Sequence, residues 1–282
     1  MSRQKDPGMM LKEEKHLFRH LKHIDLVVEV LDARLPMTSR NLRIQNALLK
    51  KKRLVLLNKS DLADQKKTGQ WLSYLAVENG PVLAFSSKSR QDLKGFEALL
   101  LKMRPKHTAF KRPLRLIVAG IPNVGKSSVI NRLAHKLAAR TGNVPGITRG
   151  AQWIRLRAGW EMLDTPGLLS PNLNPEKASP GLAVIGAIRS NVYETETVAK
   201  WLLSRILQSD VYFSSLLRFY RMEKAAVIET EDAILEHIGH ARGLLGPGGE
   251  VSREKASQVL LKDFRKGALG RITLESPGEI DG

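Results

Sequence analysis

The chain has 282 residues, with 46 Lys and Arg against 28 Asp and Glu, and no cysteine. That excludes disulfides and thiolate zinc or iron–sulfur centres, and no apolar run approaches the ~20 residues of a membrane-spanning helix. A formal net charge of +18 points to a polyanionic partner, nucleic acid first. The charge is uneven: residues 1–180 hold 33 Lys and Arg against 14 Asp and Glu, whereas residues 181–282 hold 13 against 14. The change near residue 180 marks a domain boundary, with one unit over 1–178 and a second over 179–282. Asp6, Glu13 and Glu14 interrupt the N-terminal stretch, so neither a signal nor a transit peptide is expected. A cytoplasmic protein is the expectation.

The first unit alternates strand and helix. "DLVVEVLDA" (Asp25 to Ala33), "RLVLLNK" (Arg53 to Lys59) and "PVLAFSS" are apolar runs suited to buried parallel strands. Between them, "NLRIQNALLKK" and "QKKTGQWLSYLAVEN" have helical spacing, the latter broken by Gly80-Pro81. "QDLKGFEALLLKMR" predicts a helix with Leu93, Phe96, Leu100 and Leu101 on one face. A basic connector follows, Lys102 to Arg115, with six Lys or Arg and no acid. The strand "LRLIVAG" (Leu114 to Gly120) and the helix "KSSVINRLAHKLA" come next, and "AQWIRLRAG" and "WEMLDTPG" alternate as a β-hairpin. Beyond Pro180 the reading is helical, in "TETVAKWLLSRILQ", "TEDAILEHIGHARG" and "SREKASQVLLKDFRKG", with one late strand candidate, "RITLE".

Gly120 to Ser127 reads G-x-x-x-x-G-K-S between an apolar strand and a helix. In such a loop backbone N–H groups turn toward the β-phosphate, Lys126 reaches the β/γ oxygens and the Ser127 hydroxyl holds Mg²⁺. "DTPG" (Asp164 to Gly167) ends a second apolar strand 38 residues after Lys126. Asp164 suits the Mg²⁺ shell through water, and the Gly167 N–H is placed to sense the γ-phosphate. In the polar loop between them, Thr148 is the candidate to close over Mg²⁺ and the γ-phosphate, with Thr141 as its rival; such loops order on triphosphate.

"NKSD" (Asn58 to Asp61) ends a buried strand. The Asp61 carboxylate can accept from guanine N1 and N2, whereas adenine would leave the charge unpaired. Lys59 can pack its stem along the base. "SSK" (Ser86, Ser87 and Lys88) ends the next strand and can donate backbone N–H to guanine O6. The nucleotide-contacting set is then Asn58, Lys59, Asp61, Ser86, Ser87, Lys88, Asn123, Val124, Gly125, Lys126, Ser127, Ser128 and Gly167. The phosphate chemistry falls to Lys126, Thr148 and Gly167, and the metal to Ser127, Thr148 and Asp164.

The parts of a GTPase are thus present in rotated order, guanine readers before the phosphate loop. The fold class expected is α/β: a circularly permuted P-loop GTPase domain, a mostly parallel sheet flanked by helices, followed by an all-helical domain. Permutation moves the chain ends and leaves spatial neighbours intact. It also sends the chain from the DTPG segment straight into the helical unit.

These motifs, with "PGMM" near the start, "VLDARLPMTSRN", "VPGIT", "GLAVIGAI" and the tail "IGHARGLLGPGG", resemble the ribosome biogenesis GTPase A (YlqF-type) family of circularly permuted GTPases over essentially the whole chain. The resemblance implies a GTP/GDP-binding switch in late assembly of the large ribosomal subunit, with its precursor and rRNA as partners, ribosome-associated and without membrane. A monomer is expected. The family carries a hydrophobic residue after DTPG, here Leu168, and a histidine in a "PGHM" stretch thought to serve catalysis. Here that histidine is Met9, and a thioether cannot orient or deprotonate water. His16, His20 and His23 lie nearby. The resemblance also implies K⁺ near the phosphates, held with the help of Asn123. Slow, ribosome-stimulated hydrolysis is one expectation; an RNA binder that senses nucleotide with negligible turnover is the other.

Some basic residues keep open readings. Arg34 in "DAR" contacts RNA, braces a switch, or pairs within the fold. "KKKR" (Lys50 to Arg53), Arg149, Arg155 and Arg157 are electrostatic candidates for phosphate contact, as is a face around Lys262, Arg265 and Lys266.

Overall fold

Apolar and β-branched runs become the strands β1 (Leu26–Asp32), β2 (Lys52–Asn58), β3 (Val82–Phe85), β4 (Leu114–Ala119), β5 (Gln152–Leu156) and β6 (Trp160–Asp164) of the computed structural model. The structure describes residues 23–40, 51–103, 113–137, 152–156, 160–164, 179–222 and 230–279. The six strands form one sheet in the order β3-β2-β1-β4-β6-β5. All neighbours are parallel except β5 and β6, the expected hairpin, which pair antiparallel from Gln152↔Asp164 to Leu156↔Trp160. Counted from β4 onward and then back through β1, the same sheet reads as an unpermuted series with the phosphate-loop strand first. Every residue of β1 is buried, as a central parallel strand requires. The helix expected over "NLRIQNALLKK" falls almost wholly outside the described residues.

Among the described residues, three helices flank the sheet: α1 (Gln65–Asn79), α2 (Arg90–Met103) and α3 (Lys126–Leu137). Trp71 and Leu75 of α1 close one face over Leu31, Val55 and Leu57. Leu93, Phe96 and Leu100 of α2 and Val129 and Leu133 of α3 belong to a second cluster with Val28, Val30, Leu54 and Leu116. Leu101 departs from the expected face: it is half exposed. Arg53 departs as well. It is buried and reaches Glu29 at 3.8 Å, beside Arg40 at 3.5 Å from the same carboxylate, so "KKKR" is not a uniform surface patch. In the same run Lys51 Nζ donates to the Ile24 carbonyl at 3.0 Å.

From Pro180 onward the described regular elements are helices: α4 (Pro180–Val184), α5 (Thr195–Leu207), α6 (Asp210–Tyr220), α7 (Glu231–Ala241) and α8 (Arg253–Lys266), with short 3₁₀ turns between. Side chains of Ser209, Thr230 and Ser252 cap α6, α7 and α8 by accepting from Tyr212, Ala233 and Lys255 N–H. Helix α6 carries a clear 3.6-residue stripe, Tyr212, Phe213, Leu216, Leu217 and Tyr220, all buried. The five residues of α4 are too few to show a period. The buried cluster beneath α2 and α3 continues into Leu202, Leu203, Leu216, Ile234, Leu260 and Phe264, so the helices share the core of the sheet.

"RITLE" is not a strand. Residues 270–276 form a strap bonded to turns and to helix side chains: Ile272 N donates to Leu62 O (3.1 Å), Leu274 N to Arg34 O (2.8 Å) and Thr273 N to Tyr212 Oη (3.4 Å). Ile272, Thr273 and Leu274 are all buried, so the run does not alternate between core and surface, and among the described residues no strand runs alongside to form a ladder. The strap is anchored by the Glu275 carboxylate, which accepts from Met37 N (2.8 Å), Thr38 N (3.0 Å) and the Thr38 hydroxyl. Trp71 Nε1 donates to the Glu275 carbonyl at 3.2 Å. No helix among the described residues is long and apolar enough to cross a membrane.

Glu275→Gln removes the charge from this anchor and replaces one acceptor by a donor facing N–H groups. The expected outcome is a loss of about 2 kcal/mol, in the range of hydrogen bonds to charged groups, read as a lower urea midpoint with unchanged slope.

Candidate guanine-nucleotide site

The phosphate loop leaves β4 at Gly120 and enters α3 at Lys126, so the first amides of a twelve-residue helix point at the loop's mouth. Its turn needs two left-handed residues, Asn123 (φ 63°) and Gly125 (φ 96°). A Cβ on Gly125 would lie 2.2 Å from Asn58 Nδ2, so this glycine is required by contact as well as by φ. Lys126 Nζ donates to the Ile121 carbonyl at 2.6 Å across the loop. Burial lowers its pKa to about 8. Ser127 and Ser128 are exposed on the first turn of α3.

The guanine motifs meet this loop directly. Asn58 at the end of β2 donates Nδ2 to the Val124 carbonyl at 2.7 Å. Lys59, left-handed at φ 62°, donates Nζ to the Asn123 carbonyl at 2.7 Å. A single 3₁₀ turn, Ser60–Leu62, then presents Asp61. Parallel register sets Asn58 against Phe85, which brings "SSK" beside "NKSD". Lys88 Nζ donates to Asp61 Oδ2 at 3.0 Å. Burial pushes the Asp61 pKa up, but the hydrogen bonds from Lys88 and Ser86 outweigh it and the pKa is lowered. The carboxylate therefore stays ionised, an acceptor only. Within "SSK", the Ser86 N–H is already donated to Asp92 Oδ2 (2.8 Å) and the Lys88 N–H to Ser86 Oγ (3.3 Å). Of the three amides, those of Ser86 and Lys88 are thus bonded within the protein.

A buried cluster that the motifs do not announce supports these loops. Asp32, at the end of β1, is fully buried. Arg34 grips both of its oxygens, Nε to Oδ1 and Nη2 to Oδ2, each at 2.9 Å. Lys59 Nζ shares Oδ2 at 2.8 Å. Burial alone would raise the Asp32 pKa, but the two cations hold it well below the usual carboxylate range. Burial, opposed by Asp32, lowers that of Lys59. Arg34 is itself buried, which removes the RNA-contact reading and leaves the ion pair within the fold. The sequence signal was the D-x-R step at a strand end.

The other candidates separate as follows. Asp164 ends β6, parallel to β4 with Leu163 opposite Ile117, so its backbone stands on the phosphate-loop side of the sheet. Thr148 and Gly167 lie outside the described residues, with Thr141, Leu168, Met9, His16, His20, Arg149 and Arg157. His23 is exposed. Arg155 is exposed and 3.5 Å from Glu161. Lys262 and Lys266 are exposed, but Arg265 turns inward to the carbonyls of Ala183 (2.7 Å) and Val184 (2.9 Å), so it does not belong to a basic face.

Comparison with known proteins agrees with this geometry. Residues 115–226 match the family described as 50S ribosome-binding GTPase. The chain is 37% identical to ribosome biogenesis GTPase A of Bacillus cereus over 97% of its own length and 94% of that protein. It is 31% identical to mitochondrial ribosome-associated GTPase 1 of Mus musculus, over 95% of this chain and 89% of that one. Among solved structures, GNP-bound YlqF from T. maritima matches with a TM-score of 0.67 at 27% identity, covering 94% of this chain and 98% of that one. The chain belongs to the ribosome biogenesis GTPase A family, with the circularly permuted P-loop GTPase fold.

Proposed function

We propose that this GTPase is a nucleotide-gated switch in assembly of the large ribosomal subunit, binding its precursor through rRNA. The observation that carries the reading is the pair of bonds, Asn58 to Val124 and Lys59 to Asn123, that makes the base-reading loop and the phosphate loop one site. Asp61, ionised and 3.0 Å from Lys88, reads guanine N1 and N2. Lys59 lies along the base, and the Ser87 amide serves O6. Lys126 leaves the Ile121 carbonyl for the β/γ oxygens, which the loop amides also hold.

Mg²⁺ fits the exposed Ser127 at the start of α3 and the strand-end Asp164, with Thr148 completing the set; it would neutralise charge on the β/γ oxygens. K⁺ at Asn123 would add charge stabilisation near the same oxygens. Gly167 senses the γ-phosphate. Neither Leu168 nor Met9 can polarise water, so intrinsic turnover is low and the ribosome supplies or orders what is missing. The large excess of Lys and Arg in residues 1–180 supports contact with an RNA partner, and the names of the relatives support the ribosome as its source. The division at 178/179 belongs to this reading, as do a monomeric state and a cytoplasmic, ribosome-associated location.

Asp61→Asn replaces one acceptor with a donor that opposes guanine N2–H but matches xanthine O2. GDP affinity is expected to fall at least ~100-fold, as for other buried hydrogen-bond mismatches, while xanthosine diphosphate binding appears; fluorescent-nucleotide titration reads both. An unchanged GDP affinity removes Asp61 from the site.

GTP turnover in K⁺ buffer, with and without isolated large subunits, tests the switch. Subunits are expected to raise the rate at least about tenfold, a barrier lower by about 1.4 kcal/mol. GTP that stays intact in both conditions leaves a nucleotide-gated RNA binder in place of a hydrolytic cycle.

A further inference from the structure

The end of α8 meets the nucleotide site at Arg34 and beside Asp61, and reaches the phosphate loop through α4. The Phe264 carbonyl accepts from Arg34 Nη1 at 2.8 Å, and the guanidinium lies 4.7 Å from the centre of the Phe264 ring. Arg265 caps the end of α4 through Ala183 and Val184 and also bonds Tyr193 Oη at 3.1 Å. Beyond α4, the Gly186 carbonyl accepts from the side-chain amide of Asn123 in the phosphate loop. Gly267, the left-handed cap of α8, sits against the residue that follows Asp61: a Cβ there would come within 2.5 Å of Leu62 Cδ2.

These contacts close a ring. From Asn123 it runs to Lys59, Asp32, Arg34 and Phe264, then through Arg265 and the α4 end to Gly186 and back to Asn123. Arg34 is the member that joins its two halves. Its planar fork serves both Asp32 oxygens and still has a donor for the α8 carbonyl, a geometry that a lysine cannot reproduce. Without Arg34, Asp32 keeps Lys59 as its sole cation of the pair. The carboxylate is then no longer held by the guanidinium fork, and the point that fixes the ammonium beside the Asn123 carbonyl is loosened.

We propose that Arg34 is a positioning residue for nucleotide binding: through Asp32 it sets the Lys59 ammonium on the phosphate loop, and through the Phe264 carbonyl it makes that placement depend on the docking of α8. Coupling of this kind is reciprocal, so bound nucleotide tightens the last turn of α8. The inference rests on the guanine-nucleotide reading above.

The test uses the full chain and fluorescent GDP. Wild-type binding, and its preference over ADP, is measured first; failure at that step overturns the nucleotide site itself, before any variant is compared. Arg34→Ala, Lys59→Ala and the double variant then form a cycle. If Arg34 acts through Lys59, Arg34→Ala alone weakens GDP about tenfold or more, and the double variant binds no more weakly than Lys59→Ala, the coupling expected of residues in one network. Losses that multiply overturn the proposal. Should Arg34→Ala not fold, Arg34→Lys takes its place in the same cycle. A second readout is amide hydrogen exchange at residues 264–268. GDP is expected to slow it in the wild type and not in Arg34→Lys. Equal protection in both overturns the link to α8.

Discussion

Asp32 is one buried carboxylate shared between two cations, and most of what defines the site depends on it. Removing charges from water is costly, and a buried pair persists only when its geometry is good and its remaining hydrogen-bonding groups are used. Both conditions hold here. Arg34 takes both oxygens, Lys59 takes one of them again, and the spare donors of both cations go to backbone carbonyls. One anion cannot cancel two cations, so the cluster is net positive beside the phosphate loop. A site built for an anionic ligand benefits from that sign; burial first, and Arg34 after it, lower the Lys59 pKa against the pull of Asp32.

The permuted order gives this cluster its reach. A parallel sheet does not record which connection came first: β1 lies between β2 and β4 whichever end of the chain is read. Permutation changes where the chain goes after the last strand. It passes from β6 to the helices, and the final helix returns to the exit of β1, 230 residues away in sequence from the arginine it meets. The strap over Leu62, Arg34 and Thr38 completes that return. The helices and the sheet are therefore joined by a shared core and again by polar contacts around the base-reading loop.

Legibility in the sequence follows the same division. "GIPNVGKS" and "NKSD" could be read because phosphate and guanine demand particular residues at fixed spacing next to strand ends, and buried parallel strands are dense in β-branched residues. The helix stripe of α6 is equally present in "DVYFSSLLRFY", with Ser209 as its cap, and adds a helix to those expected beyond Pro180. Arg34, Arg53 and Arg265 look in sequence like surface cations. Each is turned inward by a partner elsewhere in the fold: Asp32 and Phe264, Glu29, and the end of α4. Apart from the D-x-R step at Arg34, local pattern carries no trace of such partners. "RITLE" is a related case: its β-branched residues are buried, and burial is silent on whether the neighbour is a strand or a loop.

The inward arginines also sharpen what the charge can mean. Arg34 and Lys59 work on Asp32, and Arg53 and Arg40 on Glu29, inside the fold. These cations cannot at the same time meet an external polyanion. Since they sit with carboxylates, setting them aside leaves most of the +18 excess on other side chains, including exposed Lys52, Arg155, Lys262 and Lys266. Two populations of basic residue thus do different things. The buried ones pair within the fold, Arg34 and Lys59 beside the loops of the nucleotide site; the surface ones are the charge that the proposed RNA contact would use. Salt separates them, because it screens exposed charge strongly and buried pairs much less.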